Sequence, residues 1–122
     1  MGRTTNGLIK SRNATGTVPA YTLITEGAAD GVGAIAVDAT KPIIGVSSEI
    51  DVIAGERISV QMVGNVAEVR YGGTVARGDK LTADAQGRAI TTTTTGAHYV
   101  GFAEVSGVTG DIGTVNVAPG VL

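Results

Sequence analysis

The acidic side chains and one histidine are the residues of this chain that could do chemistry. Acid–base catalysis and zinc binding need several such groups held together, yet His98 is the only histidine and there is no cysteine. Most of the acids lie beside glycine or in predicted turns: Glu49, Asp51, Glu56, Asp79, Asp84, Glu104 and Asp111. Carboxylates in such positions hold turns by accepting backbone hydrogen bonds. We therefore predict no enzymatic activity, no catalytic residue, no metal site and no cofactor.

The tripeptide Arg77-Gly78-Asp79 is the motif that many adhesion proteins use to engage integrins. A glycine allows positive φ, and an aspartate can bond to nearby backbone, so the same three residues also suit an ordinary turn. We interpret the tripeptide as a turn and leave an adhesive role open. Replacing Asp79 with Glu separates the two, because it would abolish integrin recognition and barely change a turn.

The positive charge of the chain is concentrated at its start. Arg3, Lys10 and Arg12 precede the first acid, Glu26, although the formal net charge of the chain is −2. This basic start is either a solvated tail or an arm that docks on an acidic partner. A net negative charge argues against a nucleic-acid partner, and no apolar run approaches a membrane span, which argues against a membrane partner.

The composition predicts an all-β protein. The chain has 16 Val, 10 Ile and 16 Thr but only 4 Leu, and branched side chains fit strands better than helices. Its 122 residues predict one domain, and 19 Gly supply turns without a long linker. Three Tyr, one Phe and no Trp make a light core, which favours association with other subunits.

The chain repeats itself at an offset of about 55 residues. Segments of the first half match segments of the second half in the same order: Gly16-Thr17-Val18 with Gly73-Thr74-Val75, Thr22-Leu23-Ile24-Thr25 with Lys80-Leu81-Thr82, residues 30–35 with 84–90, Ile43-Ile44-Gly45-Val46 with Tyr99-Val100-Gly101-Phe102, and residues 55–62 with 110–117. We predict a small β-barrel or sandwich built from two similar units, residues 16–63 and 73–118, within one domain, 16–122. Residues 1–15 are predicted to form an extended N-terminal arm.

Two local patterns give further expectations. Apolar and polar residues alternate on both sides of Gly64-Asn65, which predicts a β-hairpin in which Ile58 faces Tyr71 and Val60 faces Val69. The five threonines 91–95 predict a strand or the passage from a strand to a loop, and they could also serve as a strand edge between subunits.

The second half of the chain carries a resemblance to a known family. Gly78-Asp79-Lys80-Leu81 is followed by an Asp84-to-Gly87 turn, the threonine run, a Val100-to-Ala103 strand and a final Gly110-to-Val117 turn and strand. This order resembles the small capsid decoration, or cement, proteins of tailed bacteriophages. The first half fits through Ile44-Gly45-Val46 and Gly55-Glu56.

The resemblance implies a structural protein on the outer capsid surface of the virion. It would bind the mature head as a homotrimer, with the major capsid protein as partner, and stabilise the shell by bridging neighbouring subunits. Because the family often grips the capsid with an N-terminal segment, Arg3, Lys10 and Arg12 are the candidate capsid contacts. Deleting residues 2–12 is expected to weaken capsid binding and to leave the domain folded.

Two other functions stay open at this point. One is a surface-displayed module that binds a host or a carbohydrate, with Arg77–Asp79 or the threonine run at its tip. The other is a component of tail or baseplate assembly built from similar β units.

Overall fold

The chain folds entirely into β-structure over the residues that the structure describes. A computed structural model describes residues 9–14, 16–27, 30–47, 51–64 and 66–122. Within these ranges there are ten strands and no helix: β1 Ile9–Ala14, β2 Leu23–Glu26, β3 Val32–Ile35, β4 Ile43–Ser47, β5 Arg57–Gln61, β6 Val66–Arg70, β7 Lys80–Ala83, β8 Ala89–Thr91, β9 His98–Ala103 and β10 Ile112–Val121. The predicted all-β fold is confirmed.

The strands form a closed barrel and a second sheet. The barrel has the order β1-β3-β2-β4-β5, and it closes because β1 pairs antiparallel with β5 and parallel with β3. The second sheet has the order β6-β10-β9-β7-β8. A single parallel bridge from Tyr71 to Ala89 links its two edges, so the second sheet curls in the same way without a full ladder between β6 and β8.

The two halves share one topology. The order β3-β2-β4-β5 in the barrel corresponds to β8-β7-β9-β10 in the second sheet, and β1 and β6 occupy matching flanking positions. Isolated bridges also correspond, since Val18 pairs with Val52 and Val75 with Gly107. The repeated offset in the sequence therefore reflects two copies of one five-stranded arrangement.

The flanking strands correct the predicted start of the domain. Residues 9–14, assigned to the arm, form β1 inside the barrel, where β1 pairs with β5 from Ile9 to Asn13. The physical reason is that β5 and β3 each leave a backbone edge that, among the described strands, β1 covers. Residues 9–12 belong to this strand, so the pairing argues against the expectation that deletion of residues 2–12 leaves the domain folded. Residues 1–8 lie outside the described residues.

The predicted hairpin is also wrong. β5 pairs with β1 on one side and β4 on the other, while β6 pairs with β10 in the second sheet. The alternation does predict which face of each strand is buried, because Ile58, Val60, Val69 and Tyr71 are all buried. Alternation shows that each strand has one buried face, but it does not show which strand is its partner.

Two apolar clusters form the core. The smaller one belongs to the barrel and contains Ala14, Val18, Ile24, Val52, Ile58, Val60 and Met62. The larger one combines the inner face of the second sheet with four residues of the barrel's outer face, Leu23, Ala36, Ile43 and Val46. The barrel therefore covers the second sheet, and each fully buried aliphatic side chain contributes about 1.5–3 kcal/mol.

The second half fills its core differently from the first. Tyr71 is fully buried and takes the position of Ala14, while Gly107 and Gly113 lie against its ring. The residue corresponding to Gly113 in the barrel is Ile58, which faces β1 as Gly113 faces β6. In the second half the large Tyr71 ring lies beside glycines, whereas in the barrel the small Ala14 is combined with the larger Ile58. Both arrangements fill the enclosed volume.

Glycine is required at one matching position in both halves. A Cβ on Gly45 would collide with the carbonyl of Gln61 in β5, and a Cβ on Gly101 with the carbonyl of Asn116 in β10. Both glycines let a central strand approach its neighbour closely, which explains the hydrophobic-Gly-hydrophobic step in each half.

Candidate interaction surface

The Arg77-Gly78-Asp79 segment is a tied-down turn. Oδ2 of Asp79 accepts hydrogen bonds from the Ala76 amide at 2.9 Å and the Thr91 hydroxyl at 2.8 Å. Gly78 has a φ of 93°, and its amide donates to the Ala103 carbonyl at 2.7 Å. The turn interpretation is confirmed, and the aspartate uses its carboxylate to hold the loop against β8.

The matching turn of the first half has the same shape with different residues. Tyr21, at the position of Gly78, has a φ of 59° and is the only described residue other than glycine with positive φ. The Ala20 amide donates to Oδ1 of Asp51 at 2.8 Å, as the Arg77 amide donates to the Ser106 hydroxyl at 3.2 Å. The turn is thus a feature of the repeat.

Two further acids hold turns as predicted. Glu56 accepts a hydrogen bond from the Ile53 amide at 3.2 Å, and Asp111 accepts one from the Val108 amide at 2.9 Å. These pairs occupy matching positions in the two halves. His98 begins β9, and its amide donates to the Ala39 carbonyl at 3.0 Å. In the described ranges, no three His, Asp or Glu side chains lie close enough together to hold a metal ion.

The three basic residues predicted as capsid contacts fall in different surroundings. Arg3 lies outside the described residues, and Lys10 lies in β1 opposite Val60. The Arg12 side chain is only 17% exposed, and its Nε donates to Oε1 of Glu26 at 2.9 Å, which ties β1 to β2. The structure does not show these three residues together on one surface, and their contact with a capsid stays a prediction.

One known protein family matches almost the whole of this chain. A family model described as phage cement protein matches residues 9–119. The chain belongs to the phage cement protein family. It is therefore a structural protein of the phage head, associated with the capsid of the virion, and the predicted resemblance is confirmed.

A solved structure agrees with this fold. It is described as the head fiber gp8.5 N base of bacteriophage phi29, and it matches with a TM-score of 0.69 at 24% sequence identity, over 91% of this chain and 93% of that one. At this identity the likeness shows a shared fold. No curated protein sequence gives a significant match.

An aromatic face, with Lys80 and Tyr99 half-buried and Phe102 exposed, lies on the second sheet of this cement protein. Lys80, Tyr99 and Phe102 lie together on the outer side of the second sheet, with Lys80 Nζ 5.4 Å from the Tyr99 ring centroid and 5.9 Å from that of Phe102. The two rings are 6.1 Å apart and tilted by 50°. Phe102 is 37% exposed although it is the only phenylalanine of the chain. Exposed aromatic rings are enriched where proteins contact one another.

The threonine run borders a groove between the two halves. Thr91 ends β8, and Thr92–Thr95 continue outside the strand, so the predicted passage from a strand to a loop is confirmed. The groove has a volume of about 600 Å³, and residues 37–40 form its other wall. Its described lining is mostly threonine and aliphatic, with a single carboxylate, that of Asp38.

A buried hydroxyl lies at this groove. The Thr82 hydroxyl has no hydrogen-bond partner among the described residues, whereas the matching Thr25 hydroxyl donates to the Pro42 carbonyl at 2.7 Å. Thr82 is 4% exposed and lines the groove.

Our interpretation of the sequence missed the aromatic face, although a signal was present. The repeat alignment sets Lys80 against Leu23, and Tyr99-Val100-Gly101-Phe102 against Ile43-Ile44-Gly45-Val46. A change from aliphatic to aromatic or charged residues at matching positions indicates that the two halves use this face differently.

The structure also has no helix in its described parts that is long and apolar enough to cross a membrane.

Proposed function

We propose that this protein binds the outer surface of the mature capsid as a homotrimer and stabilises the head by bridging neighbouring major capsid subunits. The observation that carries the proposal is the cement-family match over residues 9–119. A cementing role requires a rigid body with contact surfaces and no reaction, and the acids described above are used to hold turns.

The surface of the molecule supports such a role. Nine large apolar side chains are exposed among the described residues: Val37, Ile53, Val63, Val66, Phe102, Val105, Val108, Ile112 and Val121. Three of these, Val105, Val108 and Ile112, fall in or next to one loop of the second half, between β9 and β10. Partner subunits that cover such residues bury additional apolar surface. Because these partners bind only the folded protein, their binding raises its free energy of unfolding.

Co-sedimentation with phage heads tests the proposal. Purified protein is mixed with expanded and with unexpanded heads that lack their own decoration protein. We expect saturable binding to expanded heads and greater resistance of those heads to heating. Absence of binding to both forms, while circular dichroism shows the folded protein, would contradict a cementing role.

A variant lacking residues 2–8 tests the contribution of the N-terminal segment in the same assay. This deletion removes Arg3 and spares β1. A deletion that keeps full binding would show that the segment is not a capsid contact. Arg57→Glu serves as a control, because Arg57 is exposed on the barrel and its substitution leaves residues 2–8 in place.

A further inference from the structure

The two halves of the molecule use one matching face in opposite ways. In the first half, Leu23, Ile43 and Val46 are fully buried because the second sheet covers them. In the second half, the same positions are Lys80, Tyr99 and Phe102. The strand pairing is equivalent, since Leu23 faces Val46 as Lys80 faces Phe102. Within one chain, this face of the barrel is therefore a contact surface for the inner face of the second unit.

The uncovered face keeps the character of a contact surface. Lys80 lies near both rings, at distances typical of a cation–π interaction. Phe102 remains 37% exposed, so its ring would bury further apolar area on contact. An ordinary solvated sheet face has no need for the only phenylalanine of the chain at its centre.

Charges on this face alternate in sign between three rows of residues that cross the sheet. The first row holds Arg70, which is exposed and pairs with Ile112. The second holds Glu68, Thr114 and Glu104, where Glu68 pairs with Thr114 and the Glu104 amide donates to the Thr114 carbonyl. The third holds Asn116, Phe102 and Lys80. Neighbouring rows are two residues apart along the strands, or about 7 Å.

Opposite charges in separate rows make one part of the face complementary to another part. A partner surface with a single sign of charge would be attracted by some rows and repelled by others. Around a threefold axis, the glutamates of one copy face Lys80 of the next, so every copy uses both its lysine and its glutamates. Tyr99 lies at the border of this face, where it lines a pocket together with Pro42 and Ile43 of the barrel.

We propose that the face formed by Lys80, Tyr99, Phe102, Glu68 and Glu104 is the contact between copies of this chain. Lys80 of one copy pairs with Glu68 or Glu104 of the next, and the Tyr99 and Phe102 rings are buried between them. This inference deepens the proposed function, because it rests on the homo-oligomer proposed above and assigns the surface that forms it.

Sedimentation velocity of the purified full-length chain tests the proposal. We expect wild-type protein to associate, and Lys80→Glu and Phe102→Ser each to weaken association about tenfold or more. Arg57→Glu is the matched control, since it reverses an exposed positive charge on the barrel and should associate as the wild type does. Circular dichroism of each variant confirms that it is folded.

Charge reversal on both sides makes the test specific. Adding Glu68→Lys or Glu104→Lys to Lys80→Glu should restore association, and the one that restores it identifies the glutamate that pairs with Lys80. A monomeric wild type, unchanged association of Lys80→Glu, or the absence of rescue by either second substitution would overturn the proposal.

Head binding separates this inference from the proposed function. If Lys80→Glu stays associated but no longer binds expanded heads, the face contacts the shell, and the inference is wrong while the capsid role stands. If the variant is monomeric and still binds heads, both the contact between copies and capsid binding stand. If neither wild type nor variant binds heads, the capsid role fails independently of the contact between copies.

Discussion

Oδ2 of Asp79 accepts two hydrogen bonds, from the Ala76 amide and from the Thr91 hydroxyl. The first closes the turn, and the second ties the turn to β8. A residue that an adhesion motif would present to a receptor is therefore used inside the protein. The local composition predicted this turn, because glycine and aspartate act on their own neighbouring backbone. The contact with Thr91 could not be predicted, since it depends on the pairing of β7 with β8.

Asp79→Ala should lower the free energy of unfolding by about 1 kcal/mol, because it removes two hydrogen bonds near the surface. Asp79→Asn is the matched control, since its side-chain oxygen can still accept both bonds. Urea denaturation measures the difference.

Cells should not attach to the immobilised protein through integrins, and attachment that Asp79→Glu abolishes would refute the turn interpretation.

Tyr71 gives the protein a sensitivity to alkaline pH. Its hydroxyl donates to the Val105 carbonyl at 2.7 Å. Burial raises the pKa of the Tyr71 phenol above its ordinary value of 10.0, and the Asp111 carboxylate adds to the shift. The unfolded chain therefore loses this proton at a lower pH than the folded chain. The contribution of Tyr71 is complete below pH 10.0 and is lost as the pH rises through the raised pKa.

Urea denaturation of wild type and Tyr71→Phe at about pH 8 and about pH 11 tests this effect. The free energy of unfolding should fall more steeply with pH in the wild type than in the variant. At about pH 8 the variant should be less stable by about 1 kcal/mol, because the Val105 carbonyl loses its donor. Equal pH dependence of the two proteins would contradict the role of Tyr71.

At the scale of elements, β1 decides how much of the N-terminus can be removed. Deletion of residues 2–8 leaves β1 whole, and we expect little change in thermal stability. Deletion of residues 2–12 removes the part of β1 that pairs with β5 from Ile58 to Gln61, and the barrel should then fail to close. Thermal denaturation followed by circular dichroism distinguishes the two, and equal melting temperatures would show that β1 is dispensable.

The matching cores of the two halves can be tested by exchange. Tyr71→Ala alone should cost about 3–5 kcal/mol through the cavity that it leaves. Gly113→Ile alone places a side chain against the Tyr71 ring and should also destabilise. Together they reproduce the combination of Ala14 and Ile58 in the barrel core, so the double variant should lose at least about 1 kcal/mol less than the sum. Additive losses in urea denaturation would show that the two positions are not coupled.

The sequence predicted the elements better than it predicted their partners. The repeat and its turns follow from local residue types, and they placed β2 to β5 and β7 to β10 in order. The pairing of β1 with both β3 and β5 joins segments far apart in the chain, and the basic residues of β1 gave no sign of it. The false hairpin has the same origin, because β5 and β6 are neighbours in sequence while each pairs with a distant strand.

At the scale of the whole molecule, the two halves depend on each other unequally. The barrel's own cluster lies entirely between Ala14 and Met62. The cluster of the second half includes four barrel residues. Residues 1–64 alone should therefore show cooperative unfolding by circular dichroism, whereas residues 66–122 alone should not fold. Mixing the two fragments should restore structure to the second, and independent folding of residues 66–122 would contradict this dependence.

The position of β1 between β3 and β5 has a consequence for how the chain is made. β1 leaves the ribosome before the other described strands, but its partners follow only when residues 32–35 and 57–61 have been synthesised. From that point the barrel can close while the second half is still being translated. Its outer face, with Leu23 and Val46, is then in place before β9 and β10 emerge. The outer face of the barrel is thus formed before the second half folds against it. The slow, long-range pairings of the second sheet then form on this existing surface.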